Sequence, residues 1–315
     1  MANQLVREAL PGTWEDAIQL WLSRQNSPNT RRSYETSLRL LMRYSGKQPW
    51  DISRMDINQW LVTLQKTCAD TTLAARLTAI SSFYGFILQD YIIKDAQGND
   101  RTLRKDNPAL GVKRPKINPY GKATCLDIDG AKALLKSINR NQIIGKRDYA
   151  LFLGYLMLGL RNSEWRSVRH EDIELRPAGM VIRYNGKGKH NQTKELFEPV
   201  FIAIREYCIP EGRESGFIFH SYGPRGEILE QPVSANYTRR ALKYYADKAG
   251  LNAEVLRVHS LRHTAALLRR EAGDDVEKIQ EFLGHSSISI TQIYLHTLKT
   301  APDKTWQTVA QYLGV

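Results

Sequence analysis

Apolar residues recur at helical spacing through residues 13–91, and this pattern restricts the first part of the chain to a helical fold. It predicts four helices: at residues 14–24, from about residue 28, at 51–64 and from residue 70. The clearest apolar stripe, with alternating steps of four and three, is formed by Leu73, Leu77, Ile80, Tyr84 and Ile87. Its aromatic ring indicates packing in a core rather than stacking on a base.

Residues 95–122 differ in character from this helical stretch. They contain three prolines, three glycines and seven lysine or arginine residues, which is typical of an extended, basic connector. The chain of 315 residues is long enough for two hydrophobic cores. The sequence therefore predicts an N-terminal domain at 1–94, a linker at 95–122 and a second domain at 123–315.

The second domain is again helical in pattern, with one interruption. Residues 180–184 have a β-like pattern, the glycines around Lys187 predict a turn, and residues 193–197 can return as the partner strand. Helical patterns resume near residues 200, 234, 260, 276, 287 and 305. The predicted fold is mainly α with a small β-sheet: a helical N-terminal domain followed by an α+β domain.

The net charge of +12 is spread over both predicted domains. Residues 1–122 hold 18 basic and 11 acidic side chains, a net +7, and residues 123–315 hold 27 and 22, a net +5. A basic surface of this kind suits a long polyanion held by two domains, although an ordinary basic protein has the same composition. The charge alone does not decide between them.

Disulfides, a secretory leader and a membrane span are not indicated. The three cysteines, Cys68, Cys125 and Cys208, are widely spaced and form no CxxC pair. The N-terminal residues lack an apolar run after a basic start, and the most apolar stretch, residues 149–160, is shorter than the roughly 20 residues that span a bilayer. We expect that stretch to be a buried helix and the protein to be cytoplasmic, without a membrane role.

Two clusters carry a basic side chain in a defined setting. Arg161 and Glu164 are one helical turn apart, so the carboxylate can orient the guanidinium. Lys187 lies between two glycines at the predicted hairpin tip, from which it can reach a nucleic-acid backbone. Taken singly, the first could be a surface ion pair and the second a solvated basic turn.

Two further clusters contain histidines and a tyrosine. His259 and Arg262 lie one turn apart at a helix start, where both can face one phosphate. His259 and His263 have the spacing of zinc ligands, but Ser260 stands where a metalloprotease helix has glutamate, which argues against zinc. The last cluster is Leu283-Gly284-His285, with Tyr294 nine residues after the histidine.

Together these residues are a set for phosphoryl transfer without a metal. An oxygen nucleophile that attacks a phosphodiester builds negative charge on the non-bridging oxygens, and guanidiniums and a histidine can donate to that charge. One base must accept the phenol proton and one acid must protonate the leaving oxygen. Unperturbed tyrosine has a pKa near 10, so it needs this assistance at neutral pH.

The four clusters, in this order, resemble the motifs of the tyrosine recombinase (phage integrase) family, and above all its compact two-domain Xer-like and integrase-like members. The resemblance covers nearly the whole chain. Trp165, where leucine is usual, and Ile290, where threonine is common, depart from the family pattern and affect packing only. The matching segments are Arg161-Asn162-Ser163-Glu164 with Val168 and Asp172-Ile173, Gly186-Lys187-Gly188-Lys189, His259-Ser260-Leu261-Arg262-His263-Thr264, Leu283-Gly284-His285 through Tyr294, and the linker-like Asn107-Pro108 and Lys113-Arg114-Pro115-Lys116.

The resemblance implies a DNA strand transferase with a helical core-binding domain and a catalytic domain. Tyr294 would attack the scissile phosphate and form a 3′-phosphotyrosyl link. Arg161 and Arg262 would hold the phosphate, and His285 would donate to a non-bridging oxygen.

The remaining roles implied by the family concern proton transfer and support. Lys187 is our choice for the general acid, His259 for the general base, and Glu164 for the support of Arg161. Because the covalent link stores the phosphodiester energy, no cofactor and no metal is expected.

The resemblance also implies partners and a setting. The protein would be a monomer or dimer when free and a homotetramer on two sites in double-stranded DNA. The tetramer would exchange strands through a Holliday junction, and accessory DNA-bending proteins could take part. Its last segment, near residues 306–313, would dock as a helix on a neighbouring subunit or on its own domain. A bacterial or phage-encoded protein at the nucleoid is expected. The alternatives are a type IB topoisomerase and a non-catalytic DNA-binding regulator.

Overall fold

The computed structural model describes residues 11–94, 97–116, 124–186 and 191–284. The chain divides into two compact units, Met1–Asn118 and Pro119–Val315. The predicted helices near residues 287 and 305 lie outside the described residues.

In its described part, the first unit contains four helices around one core and a two-stranded antiparallel sheet. All four helices were predicted, and they are confirmed. Their bounds, with those of the strands, are α1 Pro11–Ser23, α2 Pro28–Ser45, α3 Arg54–Gln65, α4 Asp70–Gln89, β1 Ile92–Lys94 and β2 Asp100–Thr102.

Local signals set the ends of α2 and α3. Gly46 ends α2 in the left-handed conformation, with φ of 65°, and its N–H donates to Met42 O. A capping box begins α3, because Ser53 Oγ accepts from the Asp56 N–H at 3.3 Å and Asp56 accepts from the Ser53 N–H at 2.7 Å. The helix therefore begins at Arg54, three residues later than the pattern predicted.

Aromatic side chains fill the core of the first unit. Trp21 and Phe83 pack edge to face with ring centroids 5.1 Å apart, and Phe83 packs in the same way on Tyr84. The Tyr84 hydroxyl donates to Pro49 O at 2.8 Å, so the polar end of this buried ring is satisfied. Tyr84, predicted as a packing residue, is fully buried.

Part of the predicted linker folds onto the first unit. β2 pairs with β1, and the side chains of Leu103, Ala109 and Val112 are buried in the first core. Composition indicated an extended connector here, but these three apolar residues lie among charged ones and carry no strand or helix period. The structure shows that the first core extends beyond residue 94.

The second unit, where described, is mostly helical with two small antiparallel sheets. Its elements are α5 Ile128–Lys136, α6 Ile143–Leu158, α7 Asn162–Arg166, β3 Ile173–Arg176, β4 Gly179–Asn185, β5 Asn191–Glu195, α8 Glu198–Cys208, β6 His220–Tyr222, β7 Ile228–Pro232, α9 Ala235–Lys248, α10 Val258–Glu271 and α11 Val276–Leu283.

The larger sheet has the order β3-β4-β5. The two strands of the predicted hairpin are confirmed as β4 and β5, whereas the predicted turn at Lys187 lies outside the described residues. Ile182 of β4 lies opposite both Ile173 and Lys194 in the register. β3 and the pair β6–β7 were not predicted, because strands of three to five residues are too short for an alternating pattern to stand out. The fold class, mainly α with small sheets, is confirmed.

The helix α6 runs through the core of the second unit, as the apolar stretch predicted. Its first turns bury an ion pair between Arg147 and Asp148, with nitrogen and oxygen 2.9 Å apart. Asp148 also accepts from the hydroxyls of Tyr237, at 2.8 Å, and Tyr245, at 3.0 Å. Among the described residues, no helix is both long and apolar enough to cross a bilayer.

Candidate active site

The first predicted cluster begins where α6 ends. Gly159 ends this helix in the left-handed conformation, with φ of 61°, and turns the chain toward Arg161. A side chain could not be added there without strain, because a Cβ on Gly159 would stand 2.7 Å from the Phe282 ring of α11. The ends of α6 and α11 are therefore in close contact.

Glu164 holds Arg161 at the start of α7. Its Oε1 accepts from Arg161 Nη1 at 2.8 Å and its Oε2 from the Arg161 backbone N–H at 2.7 Å. The Glu164 side chain is buried, whereas that of Arg161 is one-third exposed. Both oxygens of the carboxylate therefore have a hydrogen-bond donor inside the protein, and the guanidinium faces outward in a fixed orientation.

Trp165 anchors α7 in the core of the second unit. Its side chain is fully buried, its Nε1–H donates to Leu151 O at 2.9 Å, and its ring packs edge to face on Phe219. Gly154 of α6 lies directly against the indole, where a Cβ would stand 2.2 Å from ring atoms. The unusual tryptophan is thus accommodated by a glycine one helix away.

Arg262 is buried between the ends of two helices. Its Nη1 donates to Gly159 O at 2.6 Å and its Nη2 donates to Leu283 O. These bonds use two of the five N–H donors of the guanidinium. The first bond joins Arg262 to a residue two positions before Arg161, and the second joins it to a residue two positions before His285.

His259 lies one turn before Arg262, on the exposed side of α10. Its pKa is lowered by desolvation and by the positive charges of Arg262 and Arg161. His263 stacks edge to face on His259 with ring centroids 5.0 Å apart, and burial, His259 and Arg262 lower its pKa to about 4.

The structure brings four of the predicted residues into one region: Arg161, Glu164, His259 and Arg262. The two arginines both act on the pKa of His259, and Glu164 orients one of them. The other three predicted residues, Lys187, His285 and Tyr294, lie outside the described residues.

Two residues of the site were not predicted. Tyr184 of β4 has its pKa raised by burial and by Glu164, against the effect of Arg262 and Arg161, and its hydroxyl donates to Gln192 at 2.9 Å. Lys194 of β5 donates from Nζ to Phe282 O. The strand pattern of residues 193–197 gave no signal that Lys194 turns inward, since a lysine on a short strand is usually solvated.

No metal centre is found in the described parts of the chain. They contain no group of three or more histidine, cysteine, aspartate or glutamate side chains that could hold an ion. The cluster at the ends of α6, α7, α10 and α11 is instead cationic, and it suits an anionic substrate.

Sequence comparison identifies relatives along most of the chain. Residues 125–301 match the phage integrase family, and residues 17–90 match the phage integrase N-terminal SAM-like domain. Tyrosine recombinase XerD of Pseudomonas putida is 30% identical over 292 residues, which cover 89% of this chain and 90% of the relative. Tyrosine recombinase XerC of Lactobacillus delbrueckii subsp. bulgaricus is 26% identical over 288 residues, covering 87% and 90%.

Solved structures share the fold at lower identity. A lambda integrase dimer bound to a COC′ core site superposes with a TM-score of 0.70 at 15% identity, covering 94% of this chain and 98% of that one. The XerH recombinase in a post-cleavage complex with difH DNA gives 0.68 at 18% identity, covering 90% and 79%. The family match spans more than half of the chain, and the chain therefore belongs to the phage integrase family of tyrosine recombinases, which are DNA strand-transferring enzymes.

Proposed function

We propose that this protein is a site-specific recombinase that cleaves and rejoins double-stranded DNA through a covalent 3′-phosphotyrosine at Tyr294. The observation that carries this proposal is that Arg262 donates to Gly159 O, two residues before Arg161, while His259 lies one helical turn before Arg262. Two cations and a ring nitrogen in one region match a phosphate that gains negative charge during attack.

The chemistry follows from the demands of an in-line displacement. The Tyr294 oxygen attacks phosphorus, the bond from phosphorus to the 5′-oxygen breaks, and the phosphate stays bonded to the tyrosine. Arg161 and Arg262 neutralise the non-bridging oxygens, and His285 donates to one of them.

Two proton transfers balance the step. His259 takes the phenolic proton, and its lowered pKa favours the neutral imidazole that a base requires at neutral pH. Lys187 protonates the departing 5′-oxygen. A 5′-hydroxyl from a partner strand then attacks the phosphotyrosine and reverses the sequence, so neither ATP nor a metal takes part.

The arrangement of Glu164 explains why Arg161 is ready for this role. A carboxylate with both oxygens engaged by the same residue fixes the guanidinium before the phosphate arrives, and this lowers the cost of ordering it during the reaction.

The domain roles and the assembly belong to the same proposal. Residues 1–94, with Leu103, Ala109 and Val112 packed on their core, would form the core-binding domain, the rest of 95–122 a basic linker and 123–315 the catalytic domain. The net charges of both parts suit a DNA duplex. XerH and lambda integrase were solved bound to DNA, the latter also as a tetramer on a Holliday junction. We propose a homotetramer on two sites, with accessory DNA-bending proteins where the sites require them.

The test uses the DNA that flanks the gene. A duplex from this DNA, nicked near the expected cleavage point, traps the covalent intermediate because the short cleaved strand diffuses away. We expect a denaturation-resistant protein–DNA adduct with the wild-type protein and with Tyr244→Phe, a control whose ring is exposed on α9. Tyr294→Phe should bind the same duplex and form no adduct, because only the attacking oxygen is removed.

The outcomes separate the alternatives. An adduct with Tyr294→Phe would show that another residue is the nucleophile. Relaxation of any supercoiled plasmid without a site requirement would support a type IB topoisomerase. Binding without an adduct in the wild-type protein would support a non-catalytic regulator.

A further inference from the structure

Each of the last four carbonyls of α11 accepts a hydrogen bond, and for two of them the donor is a cationic side chain. The Gly284 N–H donates to both Gln280 O and Glu281 O. The two remaining carbonyls, of Phe282 and Leu283, have no partner within the helix. Lys194 donates to the first and Arg262 to the second.

Lys194 comes to this helix end from the sheet. Of the five residues in β5, it is the one whose side chain is not exposed. Its Nζ lies 3.9 Å from the centre of the Phe282 ring, so it meets both the carbonyl and the aromatic face of one residue. A positive charge at a helix C-terminus is also favoured by the helix dipole.

Three charged groups face Lys194 from neighbouring helices. Burial and the positive charges of Arg262 and Arg269, both on α10, lower its pKa to about 7, while Glu164 of α7 acts in the opposite direction. Arg262, which would hold the phosphate, and Glu164, which orients Arg161, therefore both act on the charge of Lys194. An amine with this pKa donates a hydrogen bond to the carbonyl in both protonation states.

The same helix end supports Arg262. The guanidinium bridges Leu283 O and Gly159 O, and the Phe282 ring packs directly on Gly159. A shift of the last turn of α11 would move one of the two anchors of Arg262 and leave the other in place. A group that fixes Phe282 O, as Lys194 does, therefore also fixes the position of the Arg262 guanidinium.

We propose that Lys194 is a positioning residue for strand cleavage, which holds the C-terminal end of α11 so that Arg262 keeps the orientation in which it receives the scissile phosphate. The inference rests on the proposed function, and it joins the hairpin β4–β5 to the arginine through one helix end. Lys194 itself does not contact DNA.

The test compares Lys194→Met, which keeps the length of the stem but removes the donor, with Lys194→Arg, which keeps both donor and charge. The matched control is Lys278→Met, on the same helix α11 but two-thirds exposed. The probe is the nicked duplex described above. The rate of adduct formation is measured in a single turnover, and the Kd is measured on the uncleaved duplex.

We expect Lys194→Met to slow cleavage by about tenfold, as the loss of one buried hydrogen bond allows, with the Kd changed less than about twofold. Lys194→Arg should recover most of the rate, and Lys278→Met should match the wild-type protein. Equal losses of rate and affinity, an unchanged rate in Lys194→Met, or no recovery in Lys194→Arg would overturn the proposal.

Hydrogen exchange of the free protein keeps this test separate from the proposed function. The amides at the end of α11 should exchange faster in Lys194→Met and at the wild-type rate in Lys278→Met, and an unchanged rate in Lys194→Met would refute the role. If the wild-type protein forms no adduct, the proposed function fails, while the exchange experiment still decides whether Lys194 holds α11.

Discussion

Gly154 lies in the middle of α6 where this helix meets the indole of Trp165, and we expect Gly154→Ala to destabilise the second unit. An added Cβ would stand 2.2 Å from two ring carbons and 2.4 Å from Nε1. Carbon atoms in contact normally stand about 3.5–4.0 Å apart. The ring would have to move by more than an ångström.

The indole has little freedom to move. It is fully buried, bonded to Leu151 O and packed on Phe219. Overpacking of a core costs about 1–3 kcal/mol, and we expect the upper end here. The better helix propensity of alanine returns about 1 kcal/mol. The net loss in the free energy of unfolding should be about 2 kcal/mol.

A second helical glycine provides the matched control. Gly85 lies within α4 of the first unit, and a Cβ there would meet no atom within 4 Å. Gly85→Ala should therefore stabilise its helix by up to about 1 kcal/mol. The same substitution in two helices is thus expected to have opposite signs.

Native-state hydrogen exchange, read from peptides of α6 and α4, measures each unit by itself. Trp165→Leu should cost less when residue 154 is alanine than when it is glycine, with a coupling of about 1–3 kcal/mol, because the smaller side chain relieves the clash. A neutral or stabilising Gly154→Ala, or additive effects in the double variant, would refute the close approach.

Two further predictions concern ionisable side chains of the second unit. His263 has a folded-state pKa of about 4, below the unfolded value of about 6.5. Its contribution to the free energy of unfolding is therefore present above pH 6.5 and is lost as the pH falls toward 4. In urea titrations at several pH values, His263→Gln should reduce the fall of stability in this window by up to about 1.4 kcal/mol per pH unit. A slope unchanged from that of the wild-type protein would contradict this. Asp148→Asn should cost about 3–5 kcal/mol because it leaves the buried Arg147 uncompensated, whereas Asp129→Asn, at an exposed site, should change stability by less than about 0.5 kcal/mol in the same titration. Similar denaturation midpoints for the two variants would contradict that reasoning.

The helices of the first unit could be predicted because their signals are local. The stripe from Leu73 to Ile87 repeats at the period of one helix, and Pro28 marks the start of another. The capping box at Ser53 was a readable signal as well, and it would have corrected the start of α3. The part of the linker that joins the first core had no period to reveal it.

The chemical inventory of the candidate site also came from the sequence alone. The residue types of Arg161, Glu164, His259 and Arg262, their order and their helical spacing predicted a cationic site for a phosphodiester. Lys194 carried no such signal, because its partner, the carbonyl of Phe282, is 88 residues away along the chain.

The sequence by itself determined the helices, the division of charge and the set of side chains available for chemistry, since these depend on residue identity and on short-range period. Only the tertiary structure decided that the ends of α6 and α11 meet at Gly159, that Arg262 bridges their carbonyls and that Lys194 holds the carbonyl beside it. The physical reason is that unpaired helix-end carbonyls look the same in every helix, and the packing of the whole unit selects which cation satisfies them.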